Sequence, residues 1–358
     1  MTGERNGSER TLATRYRGLI CDLDGVVYRG AHAVPGAVET IRSAIDQGCK
    51  VAFATNNASR TPRDVLAHLG RLGLDIESPE AGDSIVAVTS AQAAAELLRG
   101  QVAAGSPVLA VGGDGVRQAL TAVGLNPFPA AESSRFAHAP AVVQGAGAAV
   151  SWRDLAEAAF RIQAGALWIV TNKDRTIPTS RGPAPGNGAL AEAVRGAVDV
   201  EPQVAGKPGP GLYELALDWL DVPRSHVLAV GDRLDTDVAG AHAAGIDSLF
   251  VLGGAHGLAD LVWCPQLERP THLGVDLRAL LLSMTDPTVL PNDAIAVDAT
   301  GSVEVSRLGS VPPSIALDAV VRAAWSMLDG GRPLPQRAQA WRALEQQIVH
   351  AFVIGVTP

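Results

Sequence analysis

The chain has 358 residues, of which 47% are hydrophobic and 18% charged, and its formal net charge is −8. This length suggests more than one domain, and the acidic balance argues against a nucleic-acid partner, which would require a basic face. No apolar run approaches the ~18 residues of a membrane helix, so we expect no membrane span. Residues 1–16 contain both Glu and Arg and do not resemble a secretory signal. Three cysteines without CxxC spacing fit a reducing compartment, and we expect a cytoplasmic protein.

The first elements of the chain form one βαβ unit. Residues 19–21 are a short apolar run that ends at Asp22, which is typical of a strand buried on both faces. Residues 36–46 space their apolar side chains helically, and residues 51–54 form a second strand that ends in T-N-N. We therefore expect the two strands to lie parallel, with a right-handed crossover.

The 151 residues between Thr55 and Lys207 are far more than one crossover requires. Their apolar patterns predict an alternation of strands and helices. The predicted strands are residues 108–111, 141–144 and 167–171, and the predicted helices are residues 91–98, 115–123 and 155–165. We infer a separate α/β domain at residues 82–187, the cap. Trp152 and Trp168 are expected in its core, although they could instead stack on a substrate.

The rest of the main domain follows the cap. The predicted strands are residues 204–205, 227–230 and 248–252, and the predicted helices are residues 212–220 and 238–244. With the first unit they predict an α/β main domain, residues 14–81 and 188–284, built on a doubly wound, mostly parallel sheet. The remaining residues, 285–358, are the tail. It is predicted to be a small α+β extension with a hairpin at residues 295–305 and helices near residues 314–328 and 336–352.

Polar side chains gather where four of the predicted strands end. They are Asp22 and Asp24; Thr55 and Asn56; Lys207; and Asp232, Asp235 and Asp237. The carboxyl ends of parallel strands converge on one crevice, and several carboxylates there require a compensating cation. Oxygen ligands favour Mg²⁺, while the lysine and the threonine hydroxyl suit a phosphoryl group. The pattern predicts Mg²⁺-dependent phosphoryl transfer, most simply to water, with a carboxylate nucleophile.

Each cluster taken alone also has a structural explanation. Asp235 and Asp237 could cap the helix that follows them, and Thr55 and Asn56 could belong to an ordinary turn. A function from another class is also open, namely a Mg²⁺-binding phospho-acceptor signalling module with a similar acidic pocket. The cap and Asp24 argue against that alternative, because a single domain without a cap suffices for it.

The stretches D-L-D-G-V, T-N-N, G-K-P and G-D-R-L-D-T-D, in this order, resemble the four motifs of the haloacid-dehalogenase-like phosphatases. This resemblance implies a Rossmann-like main domain. The insertion between the second and third motifs is similar to the cap of the subclass containing p-nitrophenyl phosphatases and glycerol 3-phosphate phosphatases. Residues 169–178, I-V-T-N-K-D-R-T-I-P, resemble that subclass's return from cap to core. The tail is similar to that of bacterial glycerol 3-phosphate phosphatases, which is described as a remnant of an acetyltransferase-like fold.

The resemblance implies catalytic and metal-binding roles for four aspartates. Asp22 would be the nucleophile and a ligand of Mg²⁺. Asp24 would protonate the leaving alkoxide and then deprotonate the attacking water, and its backbone carbonyl would also bind Mg²⁺. Asp232 would complete the metal site. Asp237 would lie next to the metal ligands without binding the metal itself.

Phosphate and substrate contacts are implied at a second group of positions. The phosphate-binding residues would be Gly25, Thr55, Asn56 and Lys207. Asn172 and Asp174 would lie on the return segment and face the substrate. An acidic residue that often follows the V-V-x-G strand of such caps is missing here, where the stretch reads V-V-Q-G-A-G-A.

The expected activity is hydrolysis of a small phosphomonoester, with glycerol 3-phosphate favoured by the resemblance. Pyridoxal phosphate and nucleoside monophosphates are the alternative substrates, and they would need a larger apolar or aromatic pocket. The tail could dock onto the main domain or mediate a homodimer. It lacks an RxxGxG-type acyl-CoA loop, so we do not expect acyltransferase activity.

Overall fold

A computed structural model describes residues 11–74, 84–179, 181–282, 295–297, 303–305, 313–331, 334 and 338–355 of the chain. In this part of the chain, two parallel sheets are formed by strands β1 (Gly18–Cys21), β2 (Lys50–Thr55), β3 (Ile85–Thr89), β4 (Pro107–Val111), β5 (Asn126–Phe128), β6 (Ala141–Gln144), β7 (Leu167–Val170), β8 (Gln203–Val204), β9 (Val227–Gly231), β10 (Asp247–Val251) and β11 (His272–Gly274). The main sheet has the order β11-β10-β9-β1-β2-β3, and the cap sheet has the order β8-β7-β6-β4-β5. The described α-helices are α1 (Leu12–Arg15), α2 (Ala37–Asp46), α3 (Pro62–Arg71), α4 (Ser90–Arg99), α5 (Asp114–Ala122), α6 (Trp152–Gln163), α7 (Asn187–Arg195), α8 (Gly211–Leu220), α9 (Ala239–Ala243), α10 (Leu258–Trp263), α11 (Pro313–Asp329) and α12 (Ala338–Gly355).

Strand β1 lies in the centre of the main sheet and is buried on both faces. Leu19 and Cys21 belong to an apolar cluster with α2 and α3, whereas Ile20 points into a second cluster with α4 and α8. Cys21 is in register with Val230 of β9 and Phe53 of β2. The residues that follow these strands therefore meet at one edge of the sheet.

The cap and the main domain share a continuous apolar cluster. Ile20 and Ala52 of the main sheet and Val143 and Ile169 of the cap sheet belong to it, together with side chains of α4 and α8. Tight backbone packing continues towards the crevice, since a Cβ at Gly113 of the cap would lie 2.6 Å from the Ser59 carbonyl oxygen. The cap is thus seated directly on the loop that follows β2.

The predicted domain boundaries differ from the sheets at two places. β3 pairs with β2 in the main sheet, although residues 85–89 fall inside the predicted cap, and β8 pairs with β7 in the cap sheet, although residues 203–204 fall inside the predicted main domain. The local sequence of each strand does not specify which neighbouring strand it pairs with. Trp168 is buried as expected, but Trp152 is 81% exposed at the first position of α6, which corrects its predicted place in the core.

The tail docks onto the main domain through an apolar cluster. Trp341 of α12 is fully buried, and side chains of α11 and α12 pack against α10 and the ends of β10 and β11. The Trp325 indole nitrogen donates to the Leu261 carbonyl at 3.0 Å, and Arg269 forms a bidentate pair with Asp329 at 2.6 and 2.8 Å. The predicted tail hairpin is present as Ile295–Val297 paired with Val303–Val305.

None of the described helices combines the length and the hydropathy that a bilayer crossing requires. The acetyltransferase-like ancestry of the tail stays a prediction.

Candidate active site

A buried lysine joins two aspartates at the carboxyl edge of the main sheet. Asp22 directly follows β1, and its backbone N–H donates to the Val230 carbonyl at 2.8 Å. Lys207, between β8 and α8, places its Nζ 2.5 Å from Asp22 Oδ1 and 2.7 Å from Asp237 Oδ1. The same ammonium donates to the Ala54 carbonyl at 3.1 Å. The first, third and fourth motifs therefore meet at one point.

The cluster holds more negative than positive charge in a buried space. Burial raises the pKa of Asp22 well above its usual range, with Lys207 opposing the shift and Asp237 adding to it. Burial opposes the charge on Lys207, but the two aspartates outweigh it and raise the pKa of the ammonium. Burial and Asp237 raise the pKa of Asp232 to about 6. One ammonium does not balance three carboxylates, so the site favours an additional cation.

The donor atoms present fit a divalent cation. Carboxylate oxygens of Asp22, Asp232 and Asp237 lie within 4.8 Å of one another. Both oxygens of Asp237 are already used, one by Lys207 and the other by the Arg233 backbone N–H at 3.1 Å. Asp232 Oδ2 accepts the Ala255 N–H at 2.7 Å, whereas its buried Oδ1 has no hydrogen-bond partner among the described residues. Asp22 and Asp232 are therefore the carboxylates with capacity for a hard cation.

Glycines allow the chain to approach the Asp232 carboxylate from two sides. Gly25 has φ +89°, a conformation that side chains disfavour, and a Cβ there would overlap Asp232 Oδ2. A Cβ at Gly254, in the loop after β10, would also overlap this carboxylate. The geometry places Gly25 against a carboxylate oxygen, and its predicted phosphate contact stays a prediction.

Asp24 lies two residues beyond Asp22, at the half-buried start of a tight turn. Burial raises its pKa, and Arg60 on the loop after β2 opposes this shift. A carboxyl group with a raised pKa retains a proton at higher pH than usual, which suits proton transfer. Its predicted backbone ligand to the metal stays a prediction.

The T-N-N loop, residues 55–57, is hydrogen-bonded to the backbone of Lys207. Asn56 Oδ1 accepts the Lys207 backbone N–H at 2.8 Å, and Asn56 Nδ2 donates to the Lys207 carbonyl at 3.2 Å. The buried Thr55 hydroxyl accepts the Asn57 N–H at 3.1 Å. The second and third motifs are thereby fixed to each other by paired hydrogen bonds.

The return segment from the cap reaches the same loop. Asn172 Nδ2 donates to the Asn56 carbonyl at 2.6 Å, and Asn56 Nδ2 donates to Asp174 Oδ1 at 3.3 Å. Burial raises the pKa of Asp174, while Arg233 and Asn56 oppose the shift. The two residues predicted on this segment therefore both contact Asn56, and their predicted contact with substrate stays a prediction.

Several supporting residues were not identifiable from the motifs. Ser90 donates to the Asn56 carbonyl at 2.6 Å, Asn187 donates to the Asn172 carbonyl at 2.9 Å, and Tyr213 donates to the Asp237 carbonyl at 2.9 Å. Each is a buried polar residue near the start of a helix, a weak signal that ordinary helix starts share.

Asp235, in contrast, pairs with Arg233 at 2.8 Å on the surface and lies outside the carboxylate cluster.

Comparison with known proteins agrees with this geometry. A haloacid dehalogenase-like hydrolase profile matches residues 19–126, and a HAD-hydrolase-like profile matches residues 204–280. A D-glycerol 3-phosphate phosphatase of Mycobacterium tuberculosis is 42% identical over 304 residues, which are 84% of this chain and 82% of that relative. The chain belongs to the haloacid-dehalogenase-like hydrolases.

A further relative and a solved structure agree with this family assignment. An acid sugar phosphatase of Staphylococcus saprophyticus is 35% identical over 239 residues, covering 67% of this chain and 87% of its own. The crystal structure of the Mycobacterium tuberculosis glycerol phosphate phosphatase in complex with magnesium matches with a TM-score of 0.77 and 39% identity, covering 94% of this chain and 98% of its own. The family and the α/β fold predicted from the motifs are confirmed.

Proposed function

We propose that this hydrolase removes phosphate from a small phosphomonoester in a Mg²⁺-dependent reaction, with glycerol 3-phosphate as the preferred substrate. The observation that carries the proposal is the buried Asp22–Lys207–Asp237 cluster with the unpartnered oxygen of Asp232 beside it. The choice of substrate is supported by the relative that is 42% identical over most of both chains.

Asp22 is the proposed nucleophile. Its carboxylate oxygen forms a bond to phosphorus, and the bond from phosphorus to the alcohol oxygen breaks. Asp24 gives its proton to the departing alkoxide, so the products of this step are the free alcohol and an aspartyl-phosphate. Asp24 then takes a proton from a water molecule, whose oxygen attacks phosphorus and releases phosphate and the Asp22 carboxylate.

The surrounding side chains offset the charge on the transferring group. Lys207 supplies an ammonium that contacts Asp22, and Asn56 fixes the backbone of Lys207 by accepting its N–H. The Thr55 hydroxyl and the neighbouring backbone amides would donate to the phosphoryl oxygens. Held by Asp22 and Asp232, Mg²⁺ would offset the negative charge shared by phosphate and carboxylates.

The cap contributes the substrate-facing wall. Asp174 accepts a hydrogen bond from Asn56 where the cap returns to the main domain, and the charge of Arg60, on the loop after β2, acts on Asp24. A seated cap would exclude bulk water during phosphoryl transfer. Pyridoxal phosphate and nucleoside monophosphates remain the competing substrates, since all of these esters present the same phosphate.

Phosphate release from a panel of these esters, with and without Mg²⁺, tests the proposal. We expect Mg²⁺-dependent release with the highest kcat/KM for glycerol 3-phosphate, and complete loss of activity in Asp22→Asn, which keeps the size of the side chain. Preference for a ring-bearing ester would contradict the substrate. Full activity in Asp22→Asn would contradict the nucleophile, and no release from any ester would contradict phosphatase activity.

A cytoplasmic location and a homodimer complete the proposal. The three cysteines are buried and unpaired, which supports a reducing compartment. Trp152 and Phe160 on α6 are 81% and 60% exposed, which supports an interaction surface on the cap. Light scattering on the purified protein distinguishes a dimer from a monomer.

A further inference from the structure

The tail contacts a glycine-rich loop that leads to the candidate metal site. This loop, residues 253–257, lies between β10 and α10 and is called the glycine loop below. Glu345 of α12 accepts the Leu258 backbone N–H through Oε2 at 2.7 Å, where α10 begins. A Cβ at Gly257 would lie 2.6 Å from the same oxygen, so the carboxylate lies directly against the loop backbone. The tail therefore packs directly against the backbone of the glycine loop.

The glycine loop also contacts Asp232. The Ala255 N–H donates to Asp232 Oδ2 at 2.7 Å, and the His256 N–H donates to the Asp232 carbonyl at 3.3 Å. Because Oδ2 is engaged, the rotation of the carboxylate is set and Oδ1 is left for a cation. The loop thus controls the orientation of one of the two carboxylates that have capacity for metal.

Further hydrogen bonds fix the middle and the end of the glycine loop: His256 Nδ1 accepts the Leu234 N–H at 3.0 Å, and the Gly257 N–H donates to Asp260 Oδ2 at 2.9 Å. The loop borders a cavity of about 720 Å³ between the main domain and α12, and Glu345 also lines this cavity. Helix α12, in contrast, is firmly placed, since Trp341 is fully buried and Leu344 and Ile348 belong to the tail cluster. Helix α12 thereby fixes Glu345 against the Leu258 N–H, where the glycine loop enters α10.

We propose that Glu345 is a positioning residue through which the tail orients Asp232 for Mg²⁺. The proposal rests on the proposed function only in naming Mg²⁺ as the cation. Residues behind a metal ligand commonly change metal affinity by about 10–100-fold when they are replaced. Glu345 acts through one loop, so we expect Glu345→Ala to weaken Mg²⁺ binding roughly tenfold, at the lower end of that range.

Calorimetric titration of Mg²⁺ into the full-length protein measures this effect without turnover. Glu345→Gln retains a carbonyl oxygen that can accept the Leu258 N–H, and we expect near wild-type Mg²⁺ affinity. Asp329→Ala is the matched control, because it removes a different link between tail and main domain, the pair with Arg269. We expect it to leave Mg²⁺ affinity unchanged. In kinetics, Glu345→Ala should raise the half-saturating Mg²⁺ concentration roughly tenfold, with kcat at saturating Mg²⁺ preserved.

Unchanged Mg²⁺ affinity in Glu345→Ala overturns the proposal, and so does an equal loss in Asp329→Ala, which would point to general loosening of the tail. If Glu345→Ala fails to fold, Gly257→Ala tests the same contact from the loop side and should weaken Mg²⁺ binding with the tail still docked. A wild-type protein that binds Mg²⁺ but releases no phosphate would refute the proposed function while leaving this test intact.

Discussion

Lys207 is the one buried ammonium in the described part of the cluster, and its contacts give it two separate tasks. Its ammonium contacts Asp22, to which a phosphoryl group would be transferred. The same ammonium also contacts Asp237 and neutralises its charge. A buried charge that loses its partner is strongly destabilising, whereas removing both partners relieves most of the cost. The catalytic task and the structural task of Lys207 can therefore be separated by mutation.

We expect Lys207→Met to abolish activity and to reduce the free energy of unfolding by about 3–5 kcal/mol, because it leaves two buried carboxylates without their cation. Adding Asp237→Asn removes one of those charges, so the double variant should recover part of the stability but none of the activity. Urea denaturation at pH 7.5 without Mg²⁺ and phosphate release measure the two quantities. Wild-type stability in Lys207→Met would contradict the neutralising role.

The protonation of Asp232 predicts how Mg²⁺ binding depends on pH. The pKa of Asp232 is raised from 3.8 to about 6 in the folded protein. Between these two pH values, the metal-free folded protein therefore holds a proton that the unfolded chain has released. The stability from this group is present below pH 4 and is lost as the pH rises through 6. Mg²⁺ requires the deprotonated carboxylate and should reverse this trend.

Below pH 6 we therefore expect Mg²⁺ affinity to fall about tenfold for each pH unit, because a proton and the cation compete for the same oxygens. Calorimetry at several pH values between 5 and 8 measures this dependence, and thermal unfolding with and without Mg²⁺ should show a larger stabilisation at pH 7.5 than at pH 5. An affinity that does not change between pH 5 and 7 would contradict the prediction.

At the scale of elements, the convergence of the motifs was predictable and the supports behind them were not. Each of β1, β2 and β9 ends an apolar run abruptly in a polar residue, and parallel strands bring such ends together. The edge strand β3 has a similar apolar pattern, but its pairing with β2 is a tertiary choice that no local signal specifies. Asn187 and Tyr213 likewise act through contacts with distant segments.

The glycine loop after β10 was also outside the motif pattern, although its shape controls the site. We expect Gly254→Ala to weaken Mg²⁺ binding at least tenfold, because the new methyl group would overlap the Asp232 carboxylate and displace it. Gly253→Ala is the matched control in the same loop, since its Cβ would meet only the flexible end of Arg29, at 3.0 Å. Calorimetry on both variants measures the difference. Equal Mg²⁺ affinities would show that the loop adapts without moving Asp232.

At the scale of the whole molecule, the cap, the main domain and the tail are joined by apolar packing as well as by the chain. One cluster spans both sheets, and another joins the tail to α10 and to the ends of β10 and β11. Shared clusters of this kind favour cooperative unfolding, because no part can leave without exposing the apolar surface of its neighbour. The tail is therefore expected to unfold together with the main domain.

Trp341→Ala tests this coupling at the centre of the tail interface. The side chain is fully buried, so its loss should reduce the free energy of unfolding by about 3–5 kcal/mol. Leu267→Ala removes a large apolar side chain at a site that is 88% exposed and should alter stability by less than about 0.5 kcal/mol. Urea unfolding, followed by both circular dichroism and loss of phosphatase activity, should give one shared transition that moves to lower urea in Trp341→Ala. A separate early transition that leaves activity unaffected would mean that the tail unfolds independently. It would also mean that the glycine loop keeps Asp232 in place without α12.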